Sequence, residues 1–254
     1  MEKRNGAQLN YINSDLHYGD LDLKKVVEDH GTPLYLYSKK ELEKNYLDFE
    51  DAAKKLDYNF EICFALKSNP NPEVVKTLAK LGAGGDIVSR GELRRALECG
   101  ISADKIVFSG VGKTQEEIDE ALKARIKSFN VESVEELEMI NSRAKALDID
   151  ANVAFRLNPK VKALTHKYIS TGFKTHKFGL LEQDIIDACN EKRYWERVKL
   201  VGLSVHIGSQ LTKLSPFEDA LERVLAAAAR GRGRRPRVLE RPGLPADHPV
   251  SPGF

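Results

Sequence analysis

The constraint that dominates this chain is a repeated beat of strand and helix. Apolar runs of strand length fall near residues 60–66, 84–88, 105–109, 127–131, 152–157 and 201–207, and helical patterns follow at roughly 72–81, 90–99, 115–124, 133–147, 182–192 and 216–228. A parallel return between strands needs a crossover, and an amphipathic helix supplies one that also covers a sheet face. Such a sheet is either doubly wound or closed into a barrel. No Gly-x-Gly-x-x-Gly opens a helix after the first strand, as a dinucleotide fold would require. The expectation is therefore an α/β fold of the (β/α)8-barrel type, with six βα units in succession. Ahead of the repeat, Gln8–Ile12 reads as a strand, Asp20–Val27 as a short helix and Leu34–Tyr37 as a brief strand. Ser38-Lys39-Lys40-Glu41 is a capping box opening a helix through Leu42, Tyr46 and Phe49.

A barrel of this kind presents its chemistry at the carboxyl ends of its strands. The first unit ends in Lys67, followed by the turn residues Ser68-Asn69-Pro70-Asn71-Pro72, and the second in Gly85-Asp86 with Ser89 and Glu92 beyond. The fourth ends in Asn130, the fifth in Arg156 and the sixth in His206-Ile207-Gly208-Ser209-Gln210. Each has an ordinary reading: a surface lysine, a helix-capping Asp86, a structural Arg156, a buried His206, a plain Gly-Ser turn. Together they suit a phosphate-bearing aldehyde cofactor. A partly desolvated amine forms a Schiff base, backbone and hydroxyl donors take the phosphate, and a flat imidazole meets the ring.

Composition narrows the classes. No apolar run reaches membrane-spanning length and no signal pattern opens the chain, so a cytoplasmic protein is expected. Cys63, Cys99 and Cys189 are odd in number and widely spaced, which predicts free thiols and no metal site. The net charge of +2 comes from one end: residues 226–254 carry six arginines, no lysine and two acids, Glu240 and Asp247. That end, also rich in Pro, Gly and Ala, is expected to be a disordered tail, read as sequence from another frame or a damaged end rather than as a nucleic-acid arm. The remaining residues balance to −2 without a basic stripe, which argues against nucleic acid as a partner.

Five ordered motifs carry a resemblance. Phe64-Ala65-Leu66-Lys67-Ser68-Asn69, Gly85 through Leu93, Phe155-Arg156-Leu157-Asn158-Pro159, Lys177-Phe178-Gly179 and His206-Ile207-Gly208-Ser209-Gln210 resemble those of diaminopimelate decarboxylases. These are pyridoxal-phosphate enzymes of the alanine-racemase-like barrel, akin to ornithine and arginine decarboxylases. The resemblance implies pyridoxal 5'-phosphate on Lys67, His206 stacked on its ring, Ser209 on its phosphate, Arg156 and Asp86 beside ring and imine, and Glu92 supporting that network. It implies an amino-acid substrate, meso-2,6-diaminopimelate going to L-lysine, and a homodimer for a complete member.

Family members continue with two more barrel strands, a glycine-rich phosphate loop, a Glu-Pro-Gly-Arg segment and a β-domain bearing Cys-Glu-Ser, none of which stands here. The expectation is a C-terminally truncated decarboxylase of little or no turnover. Residues 1–31 would pack on the missing β-domain, 32–225 would form the partial barrel and 226–254 the tail. A non-catalytic cofactor-binding homologue and a nucleic-acid binder acting through the tail are the competing readings.

Overall fold

The structure, a computed structural model, describes residues 9–56, 58–158, 178–208, 211 and 213–231. The chain divides into two compact units, residues 1–109 with 124–127 and residues 110–123 with 128–254.

The first unit opens with an antiparallel sheet of β1 (Leu9–Ile12), β2 (Asp15–Tyr18) and β3 (Leu21–Asp22). The β1–β2 turn sits on Asn13 and Ser14, both at positive φ, the backbone a two-residue hairpin needs. Sequence pattern reveals β1 and the following α1 (Leu23–His30) but not β2 and β3. Asp22 caps α1 by accepting from the Lys24 amide. Leu34–Tyr37, expected as a strand, pairs with nothing among the described residues, and Tyr35 is 91% exposed. Strand propensity reflects packing against neighbouring strands, and among the described residues no strand pairs with this segment. Ser38 caps α2 (Lys39–Ala53) through the Glu41 amide, as its sequence indicates.

Then come β4 (Cys63–Ala65), α3 (Pro72–Lys80), β5 (Gly84–Ile87), α4 (Arg90–Glu98) and β6 (Ile106–Phe108). β5 pairs in parallel with β4 on one side and β6 on the other. Gly84 makes this possible, because a Cβ there would fall 2.3 Å from the Lys105 carbonyl oxygen. Leu66, Val75, Ile87, Leu93, Ile106 and Phe108 close the interior. Asn71 caps α3, with Pro72 in its first turn, where a missing N–H costs nothing.

The second unit runs α5 (Gln115–Ala124), β7 (Ser128–Val131), α6 (Val134–Leu147), β8 (Ala151–Arg156), α7 (Glu182–Asn190), β9 (Val198–Ser204) and α8 (Ser215–Gly231). β8 pairs in parallel with β7 and with β9. Phe155 meets Trp195 edge-on at 6.0 Å between ring centroids, and the Trp195 indole N–H donates to the Ala188 carbonyl of α7. That side of β8 is the helix-covered one. Arg156, the next residue along, therefore points to the opposite face.

Two expectations shift. The sixth strand lies at Val198–Ser204, about three residues earlier than its apolar run suggests, because the polar-flanked start Val198-Lys199-Leu200 is what pairs with Ala151–Val153. And α8 continues to Gly231, so Ala226–Arg230 are helix rather than disordered tail. Four alanines have the highest helix propensity available, and Arg230 anchors the last turn on the Glu182 carboxylate. Among the described residues, no helix is long and apolar enough to cross a membrane, and all three cysteines are free thiols.

Candidate functional site

In the first unit the residues of interest follow successive parallel strands. Lys67 lies in the single 3-10 turn, Leu66–Ser68, that ends β4. Leu66 is fully buried and anchors that turn, whereas Lys67 is exposed rather than partly desolvated as the sequence suggested. One strand over, Asp86 stands opposite Ala65 in the β4–β5 register. Its carboxylate accepts from the Ser109 hydroxyl at 2.5 Å, so it does not cap α4. Ser89 does, accepting from the Glu92 amide, while the Glu92 carboxylate reaches back to accept from the Val88 amide at 2.8 Å. Glu92 thus pins the turn that carries Asp86.

The β7–α6 turn repeats this device. Ser133 accepts from the Glu136 amide and the Glu136 carboxylate accepts from the Glu132 amide. Here it is buried and reinforced by Lys113, whose ammonium donates to Glu136 at 2.6 Å and to the carbonyls of Gly110 and Asn130. Burial pushes the Glu136 carboxyl above the usual range, with Lys113 opposing the shift.

A polar row crosses the ends of three neighbouring strands in this unit. Val131 pairs with Phe155, so Glu132 and Arg156 stand side by side, and the Arg156 Nη1 donates to the Glu132 Oε1 at 2.5 Å. On the other side Arg156 pairs with Ser204. A bulge decides this: Val153 pairs with Leu200 but Ala154 with Gly202, so Val201 is an extra residue in β9. Without it Arg156 would face Leu203. Bulges re-aim side chains in this way beside sites. The Ser204 Oγ and the Glu132 Oε2 are buried and have no hydrogen-bond partner among the described residues, a costly condition that ligand sites tolerate. Over the guanidinium lies the Phe178 ring, 5.7 Å from the guanidinium carbon.

Of the sequence-predicted residues, Lys67, Asp86 and Glu92 gather in the first unit and Arg156 and His206 follow adjacent strands in the second. His206 is exposed just past β9, and Ser209 and Lys177 lie outside the described residues. Glu132, Ser204 and Ser109 are not among the residues that the sequence singles out. Glu132 directly follows a strand, as Arg156 ends one, and that position is the signal it carries. Ser204 could not be found without the bulge. Each unit by itself carries groups of a kind that a phosphate-bearing aldehyde uses: the exposed primary amine of Lys67 at a strand end in the first, and the Arg156 guanidinium beside the Ser204 hydroxyl in the second.

Comparison with known proteins accords with this chemistry. Residues 39–234 match the family model described as pyridoxal-dependent decarboxylase, pyridoxal binding domain. The chain is 45% identical over 222 residues to the diaminopimelate decarboxylase of Pseudomonas fluorescens, covering 87% of this chain and 53% of that protein. It is 45% identical over 215 residues to that of Haemophilus influenzae, covering 85% and 51%. Among solved structures, diaminopimelate decarboxylase from M. jannaschii in co-complex with L-lysine superposes with a TM-score of 0.79 at 37% identity, over 92% of this chain and 55% of that one. The fold is thus that of the barrel decarboxylases, and the chain spans about half the length of the relatives it matches.

Proposed function

Since the chain belongs to the pyridoxal-dependent decarboxylases through their pyridoxal-binding domain, we propose that it forms the cofactor-holding half of a diaminopimelate decarboxylase, converting meso-2,6-diaminopimelate to L-lysine. The observation that carries this is Lys67: it is the exposed amine directly after β4, within the matched domain. When bound, pyridoxal 5'-phosphate supplies the electron sink that loss of a carboxylate needs.

The chain's own residues do the rest. Lys67 Nζ would hold the cofactor at its aldehyde group. Asp86, kept in place by the Ser109 hydroxyl, and Arg156, kept by Glu132, would supply the charged groups that the family resemblance implies beside the cofactor. Glu92 fixes the turn behind Asp86. His206 offers its imidazole to the ring and Ser209 its hydroxyl to the phosphate. A cytoplasmic homodimer is the assembly proposed, as the family resemblance implies.

The test is titration of the purified chain with pyridoxal phosphate, followed by its visible absorbance, beside Lys67→Ala. A band that forms in the wild type and is lost in the variant supports the reading, and its absence from folded wild-type protein refutes it. Production of lysine from meso-diaminopimelate is the second measurement, with ornithine and arginine as competing substrates.

A further inference from the structure

The Arg156–Glu132 pair is built differently from a structural ion pair in the same unit. Arg143 and Asp119 meet edge to edge, with Nε and Nη2 donating to both carboxylate oxygens at 2.7 and 2.6 Å. A pair free to optimise itself takes that bidentate form. Arg156 and Glu132 do not. One guanidinium nitrogen meets one oxygen, and the second oxygen of a carboxylate whose side chain is 3% exposed has no partner among the described residues.

The fold imposes this geometry from both sides. Behind Glu132, its amide is held by the Glu136 carboxylate, itself held by Lys113. In front of Arg156, residues Phe178 to Leu180 form a strap. The Leu180 amide donates to the Arg156 carbonyl at 2.8 Å and the Asn158 amide to the Leu180 carbonyl at 2.8 Å. Gly179 has φ +85°, a backbone that L side chains rarely adopt, and a Cβ there would lie 2.8 Å from the Arg156 carbonyl oxygen. That close approach seats the Phe178 ring over the guanidinium.

We propose that Glu132 is a positioning residue for Arg156, and that the Phe178–Gly179 strap fixes the same guanidinium from its other face, so that its remaining edge is presented to the cofactor. The inference rests on the reading of this chain as a pyridoxal-phosphate protein in which Arg156 serves the cofactor.

The test uses the full chain and pyridoxal phosphate itself, with half-saturation read from absorbance and folding from the thermal midpoint. Glu132→Gln keeps size and one acceptor but loses the charge, and half-saturation is expected to rise about tenfold, the loss of one charge-assisted hydrogen bond. Glu132→Asp keeps the charge and is expected to stay within about threefold of wild type. A packing role predicts the reverse order, because Gln is the isostere. Phe178→Leu, at a half-exposed ring whose loss does not threaten folding, is expected to weaken binding several-fold through the same guanidinium, and serves if Glu132→Gln does not fold. Gln binding as well as wild type, Asp binding worse than Gln, or Phe178→Leu leaving half-saturation unchanged overturns the proposal while the cofactor reading stands. No Lys67-dependent band in the wild type overturns both.

Discussion

Lys113→Met should be among the most damaging single changes in the second unit. The Lys113 and Glu136 side chains are 1% and 9% exposed, and the ammonium serves a carboxylate and two carbonyls at once. Methionine fills similar volume, so the effect isolates charge and hydrogen bonding from packing. Removing one partner of a buried ion pair costs about 3–5 kcal/mol, because the other charge stays buried without compensation. With a urea m-value of about 2 kcal/mol/M, the unfolding midpoint should fall by roughly 1.5–2.5 M. The pH dependence has a definite sign. Burial already raises the folded-state pKa of Glu136, so the folded form binds its proton more tightly than the unfolded chain does. Stability from this group is then lost as pH rises from the unfolded value through the folded one. Without Lys113 the folded pKa moves higher still, and the deficit at pH 7.5 should narrow at pH 5. Glu136→Leu added to Lys113→Met should recover part of the loss. A midpoint shift equivalent to less than ~1 kcal/mol, or a deficit that does not narrow in acid, would refute the assignment of this pair as the anchor of the β7–α6 turn.

Three further outcomes are expected. Gly179→Ala puts a Cβ 2.8 Å from the Arg156 carbonyl at φ +85°, and should speed hydrogen exchange at the Leu180 and Asn158 amides, with a local cost of about 1–3 kcal/mol; unchanged protection refutes the strap. Burial, with Glu61 adding to it, pushes the Cys63 thiol up to about 11 from its ordinary 9.0, so at pH 8.5 it should hold roughly 50–100 times less thiolate than an ordinary cysteine and alkylate correspondingly slowly; labelling followed by mass spectrometry across pH checks this. The Arg143 hydrogen bonds hold the Asp119 carboxyl below the usual carboxylate range, a stabilisation present above the unfolded pKa and lost as pH falls through the folded one. Asp119→Asn should therefore lower the thermal midpoint at pH 6, and the difference from wild type should shrink as pH falls through the folded-state pKa; a difference unchanged on acidification would refute the pairing.

The strand-and-helix repeat was legible because period and turn chemistry are local. Helix starts at Pro72, Arg90 and Val134 are announced by Asn71, Ser89 and Ser133, whose side chains satisfy amides a few residues away. The positions of Lys67, Arg156 and His206 at or just past strand ends were legible for the same reason, since each falls where an apolar run gives way to turn residues. The hairpin at Asn13-Ser14 and the unpaired Leu34–Tyr37 were not, because short strands are decided by what they lie beside.

By itself, then, the sequence determined the alternation, the caps, the parallel α/β class and the identity of the strand-end residues, all consequences of periodicity and local hydrogen bonding. Only the tertiary structure decided which of those residues face one another. One extra residue, Val201, turns Ser204 rather than Leu203 toward Arg156, and the register of β7 on β8 sets Glu132 beside it. Register is a property of pairs of strands far apart in the chain, and no local pattern encodes it.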